Sequence, residues 1–150
     1  MNSIKYILII LLFVSCKKDK VDSDNDLPEN YSNGILVLNE GLFQQNNSTL
    51  SWIDLNTNDV KQNVFLNTNN RLLGDTGNDL QRYGNKIYIV VNSSSTIEVL
   101  DATTLNSIKQ IQLNFQAQGQ QPRRITFWSN KAYVSSYDGY VNIIDTNTLD

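Results

Sequence analysis

One template recurs three times along this chain, and that repetition constrains the fold more than any other feature. Each copy reads as strand, loop, strand and an aspartate-led turn. The first runs Gly34-Ile35-Leu36-Val37-Leu38-Asn39, a long loop, then Leu50-Ser51-Trp52-Ile53-Asp54-Leu55-Asn56-Thr57. The second runs Asn85-Lys86-Ile87-Tyr88-Ile89-Val90-Val91, a serine loop, then Thr96-Ile97-Glu98-Val99-Leu100-Asp101-Ala102-Thr103-Thr104. The third runs Asn130-Lys131-Ala132-Tyr133-Val134-Ser135, a loop, then Tyr140-Val141-Asn142-Ile143-Ile144-Asp145-Thr146-Asn147-Thr148. Asp54, Asp101 and Asp145 recur at intervals of 47 and 44 residues, and Asn85 and Asn130 lie 45 apart. A period of about 40 to 50 residues built from four short strands belongs to β-propeller blades.

The facing pattern agrees. In Ile87 to Val91 both alternating sets are apolar, as expected of a sheet packed on both sides. An innermost strand is expected before each of the later pairs, within Leu72 to Tyr83 and Pro122 to Trp128. Outermost strands are expected at Asp59 to Leu66 and Ser107 to Leu113. The repeated aspartate plays a structural part, because a carboxylate just after a strand accepts backbone N–H bonds from the next residues and closes the turn. The expected fold is therefore all-β, a propeller with about three four-stranded blades. Closed rings hold about four to eight blades, which leads to the expectation that the chain is a fragment of a larger, about seven-bladed ring.

Ahead of the repeats, Lys5, an apolar run from Tyr6 to Val14 and the small Ser15 make a secretory leader over residues 1–15. The run is too short to span a bilayer, which takes roughly 20 apolar residues. Phe13-Val14-Ser15-Cys16 resembles the bacterial lipobox, which implies that Cys16 is lipidated and becomes the first mature residue. Residues 16–32 are polar and acidic and read as a solvated tether, leaving 33–150 for the blades. Asp22 to Asp26 imitates the start of a calcium loop, but Leu27 stands where the sharp turn needs glycine.

Composition narrows the functional classes. Histidine is absent and Cys16 is the only cysteine, which removes the commonest general base, the commonest metal ligand and any internal disulfide. Without Lys5 the chain carries 11 basic against 15 acidic side chains, scattered rather than blocked, so no nucleic-acid footprint is expected. No cofactor is expected either.

The repeats also have a family likeness. Lys86 to Val90, Ile97 to Asp101, Pro122 to Ile125 and Lys131 to Val134 resemble YVTN-type, YncE-like β-propeller repeats. Ile35 to Gly41 with Asn46 to Ser51 is similar to the first blade of propeller lipoproteins of the Bacteroidota. The resemblance spans about 33–150. It implies an outer-membrane, lipid-anchored protein facing the periplasm or the cell surface, and some members of that group capture corrinoids for an outer-membrane transporter. The quoted motifs are blade scaffolding and do not themselves carry that activity.

Ligands of propellers meet loops at one end of the channel. The loop Glu40 to Ser48 mixes an aromatic with amides and one acid, and Glu40, Phe43, Gln45 and Asn46 are its candidate contacts for a neutral, polar, ring-bearing ligand. The second copy's loop contributes Asn92 and Ser94. In the third, Tyr137 and Asp138 flank a tight turn, with Tyr140 either stacking or packing between blades. Arg123 and Arg124 reach the channel mouth, where one is expected to hold an anionic group and the other a neighbouring carbonyl. No catalytic residue is expected, since Ser93-Ser94-Ser95 lacks a base and a glycine elbow. The leading reading is a binding module that captures a small molecule such as a corrinoid or a glycan, or docks a partner protein. The alternative, a metal-dependent propeller hydrolase or lyase, has only Glu40, Asp75, Asp79 and Asp138 to draw on.

Overall fold

The computed structural model describes residues 27–28 and 30–150; the leader, Cys16 and most of the tether expected at 16–32 lie outside the described residues. Three antiparallel meanders follow one another. The first sheet pairs β1 (Gly34–Asn39), β2 (Thr49–Asp54) and β3 (Val60–Lys61) in that order. A one-and-a-half-turn helix, α1 (Val64–Asn69), comes next. The second sheet pairs β4 (Gly77–Tyr83), β5 (Lys86–Val91), β6 (Thr96–Asp101) and β7 (Ser107–Gln112). A small ribbon, β8 (Asn114–Phe115) with β9 (Gln118–Gly119), leads to the third sheet of β10 (Pro122–Trp128), β11 (Lys131–Ser136) and β12 (Val141–Asp145). The chain is all-β, a row of three propeller blades.

The middle blade shows why these residues form strands. On β5, Ile87, Ile89 and Val91 point into a cluster with Leu50, Trp52, Phe65 and Leu100. Tyr88 and Val90 point the other way, into a cluster with Ile97, Val99, Ile125, Val134 and Ile144. Both faces are thus dry, and each fully buried aliphatic side chain contributes about 1.5–3 kcal/mol. Only an extended, β-branched segment can serve two opposite cores at once. The cross-strand register holds this in place, with Ile87 opposite Leu100 and Ile89 opposite Glu98.

The aspartate turns form as the repeat requires. Asp54 accepts from the Asn56 amide at 2.7 Å, Asp101 from Thr103 and Thr104 at 2.9 Å each, and Asp145 from Asn147 at 2.8 Å. Four residues beyond each aspartate, Asn58, Leu105 and Leu149 all adopt a left-handed backbone, so the three turns are superposable. The amide bonds hold the Asp101 and Asp145 carboxyls below the usual carboxylate range.

Three expectations need correction. The outermost strand expected at 59–66 is confined to the two residues of β3, after which the chain turns through Asn63 in the left-handed region and coils into α1. Burying Val64 and Phe65 and bonding Asn69 to the second sheet outweighs continued pairing, for the Asn69 amide donates to the Leu105 carbonyl and its oxygen accepts from the Ser107 amide. The first and third blades show three strands each among the described residues, where four were expected. The folded unit also begins before residue 33. Tyr31, read as tether, is buried edge-on against Trp52 at 5.4 Å, and its amide donates to the Thr103 carbonyl.

An ion pair with one partner buried ties the connection after α1 to the second blade. Glu98 is fully enclosed on β6 and takes the Arg71 guanidinium at 2.7 Å, the Ser107 hydroxyl at 2.5 Å and the Gln110 amide at 3.2 Å. Arg71 in turn lies over the Phe65 ring. The outer faces of the end blades differ from the interior, exposing Ile35, Val37 and Val60 on one and Trp128, Val141 and Ile143 on the other.

Candidate functional site

Because each blade is a meander, every second connection falls at the same end of the row. Loops 40–48, 70–76, 92–95, 113–121 and 137–140 therefore share one face. Their main chains are bonded to each other in sequence. The Gly77 amide donates to the Glu40 carbonyl and to Ser48 Oγ, and the Ser48 hydroxyl donates to the same carbonyl at 2.6 Å. Asp75 links onward: its carboxylate accepts from the Asn46 amide and the Thr76 hydroxyl, while its own amide donates to Ser94 Oγ. Those bonds lower the Asp75 carboxyl, the Thr76 hydroxyl most of all. Further along, the Leu113 amide donates to the Ser95 carbonyl and the Tyr137 amide to the Gln121 carbonyl at 2.7 Å.

This chain of bonds sorts the residues expected to bind. Glu40, Gln45 and Asn46 are exposed on the first loop, with Phe43 projecting at 67 % exposure. Asn46 spends its amide on Asp75 and holds a positive φ of 50°. Asn92 is buried, and its side chain donates to the Pro122 carbonyl at 3.0 Å, which ties the second loop to the third blade. Ser94 accepts from Asp75 in the same scaffolding manner. Of the two arginines, Arg124 donates to the Asn78 carbonyl at 2.7 Å, the scaffolding role expected of one of them, and Arg123 stays exposed. Tyr137 is 76 % exposed and Asp138 stands beside it.

The four carboxylates weighed as metal ligands do not converge. Asp79 accepts from Leu80 and Ile125 amides, Asp75 belongs to the loop network, and no three acidic or cysteine side chains come together among the described residues.

The structure adds a feature that the separate residues did not reveal. The β8–β9 ribbon and the turn carrying Tyr137 and Asp138 enclose a groove of about 460 Å³. Phe115 and Tyr140 both line it, their rings 4.7 Å apart and inclined at 37°. Gln116, Gln118, Gln121 and Tyr137 complete the lining with Gly119 and Asp138. Gly119 lets the ribbon lie against the second loop, since a Cβ there would meet Ser95 Oγ at 2.6 Å. The groove's signal in the sequence is the amide run Gln116-Ala117-Gln118-Gly119-Gln120-Gln121 in an inter-blade connection, where a propeller presents its ligand loops. A hollow of similar volume beside α1, lined by Leu27, Leu66, Asn67 and Asn70, has no charged or aromatic group among its described residues.

No helix among the described residues is long and apolar enough to cross a membrane. No curated protein matches the chain in sequence. A family profile described as "Domain of unknown function (DUF5074)" matches residues 33–150, the span of the three blades and the loop face just described, and the chain belongs to that family.

Proposed function

We propose that this protein is a lipid-anchored β-propeller of the bacterial cell envelope, of the YVTN-type, YncE-like kind found in Bacteroidota lipoproteins, that captures a small polar ligand on its loop face. The observation that carries the reading is the loop face itself. Its backbone groups are consumed in holding neighbouring loops together, while Phe43, Gln45, Tyr137 and Asp138 project with little else to do. Rigid backbone with free aromatic and amide side chains is the arrangement of a preorganised binding surface rather than of a catalytic centre. The lipobox-like Phe13 to Cys16 supplies the anchor, and the ligand, a corrinoid or a glycan, passes to an outer-membrane transporter in the envelope.

The test combines anchor and capture. Cells expressing the chain should incorporate labelled palmitate into it, and Cys16→Ala should abolish the label. Immobilised protein should retain cobalamin or a neutral glycan, and Tyr137→Ala should weaken retention. Absence of both lipid label and ligand retention refutes the proposal.

A further inference from the structure

The groove between the β8–β9 ribbon and the Tyr137 turn has a lining whose chemistry specifies a class of ligand. It offers no lysine or arginine among its lining residues, so a phosphate or sulfate would find no counter-charge there. It holds one carboxylate, Asp138, where a divalent cation would call for six or more oxygens with several acidic ligands. One Asp138 oxygen accepts from the Tyr140 amide at 3.3 Å, and the other has no protein partner among the described residues. The side-chain amides of Gln116, Gln118 and Gln121 make no hydrogen bond to protein among the described residues, leaving donors and acceptors in the lining beside the aromatic rings.

From this lining we infer that the groove is a saccharide cleft for a neutral, polyhydroxylated ring, deepening the capture reading on which it rests. Sugar hydroxyls both donate and accept, and primary amides are the side chains that answer both needs without charge. The C–H face of a sugar ring is weakly positive and apolar, and it stacks on the electron-rich face of tyrosine or phenylalanine. Asp138 accepts from a hydroxyl pair at the rim. The volume falls within the roughly 300–1,000 Å³ of small-ligand sites.

The ribbon tip is a two-residue hairpin turn, in which Gln116 and Ala117 both hold positive φ, 49° and 63°. The Gln120 amide bonded to the Leu113 carbonyl and the Gly119 contact with Ser95 keep the tip there, with Gln116 in the groove wall.

The experiment is isothermal titration of the whole chain with maltohexaose, cellohexaose, mannohexaose and xylohexaose, with cobalamin as a separate arm. At least one hexasaccharide should bind with a Kd of about 1 mM or tighter, and Tyr137→Ala, Gln118→Ala and Asp138→Asn should each weaken it about tenfold. Trp128→Ala, an exposed change on a strand-end turn away from the groove, should leave binding unchanged, and thermal melts establish that all variants fold. Saccharide binding indifferent to the three groove substitutions overturns the inference. Cobalamin bound in a Tyr137-dependent way with no hexasaccharide bound overturns the saccharide inference and leaves the capture reading standing. Binding of neither overturns both.

Discussion

The enclosed carboxylate of Glu98 makes an asymmetric mutational prediction. Arg71 is 37 % exposed at its side chain and Glu98 not at all, so the two partners depend on the pair unequally. Arg71→Met strands a buried charge on two neutral donors, the Ser107 hydroxyl and the Gln110 amide. Removing one partner of a buried pair costs about 3–5 kcal/mol, and the two remaining donors recover part of that, so about 2–4 kcal/mol is expected. Loss of the cation above Phe65 belongs to the same figure. Glu98→Met instead leaves a cation that reaches water and replaces a buried charge with an apolar chain of similar size. It should cost less, about 0–2 kcal/mol, and the double variant should be no worse than Arg71→Met alone. Urea titration reads this through Trp52, which is buried between the first two blades. With a slope of about 1–3 kcal/mol/M, the midpoint of Arg71→Met should fall by roughly 1–2 M. If Arg71→Met costs no more than Glu98→Met, or less than the roughly 1 kcal/mol of a surface pair, the asymmetry is refuted.

Other outcomes follow from single contacts. The carboxyls of Asp75, Asp101 and Asp145 are lowered in the folded chain, so their contribution is present above the usual carboxylate pKa and is lost as pH falls through the lower folded values. Between acid and neutral pH, thermal melts should therefore decline toward acid, stay level across the neutral range because histidine is absent, and show a shallower acid limb in Asp101→Ala, which should also cost about 1 kcal/mol at neutral pH. Ala117→Gly should be neutral or stabilise by up to about 1 kcal/mol in chemical denaturation, since glycine relieves the positive φ at the ribbon tip. Burial pushes the Tyr88 phenol up, and its hydroxyl has no partner among the described residues, so Tyr88→Phe should leave the melting temperature unchanged or raise it; a clear drop would reveal a bond the hydroxyl makes.

Much of the fold was legible because blades repeat. The alternation at Ile87 to Val91 marks both cores in the sequence itself, and Asp101 with Thr103 and Thr104 describes its own turn. What escaped the sequence is informative in each case. Val64-Phe65-Leu66 is too short an apolar run to separate a helix from a strand, and only its packing on β2 and the bonds of Asn69 to Leu105 and Ser107 decide. Tyr31 sits in a polar segment, and nothing local announces that one ring crosses to Trp52. At the candidate site the exposed residues Phe43, Tyr137 and Asp138 were identifiable from loop position. The engagement of Asn92 and Ser94 was not, because their partners Pro122 and Asp75 lie 30 and 19 residues away. Phe115 meets Tyr140 through the same kind of distant encounter.

The way neighbouring connections clasp one another, main-chain amide to main-chain carbonyl, bears on how such a protein diversifies. Since Tyr137 is fastened through its amide to Gln121, and Gly77 through its amide to Glu40, those links do not depend on exposed side chains such as Phe43 and Tyr137. Those exposed residues can be exchanged for others of new shape or polarity while Ser48, Asp75, Ser94 and Asn92 keep the frame. One architecture can thus carry different outer surfaces by point substitution alone.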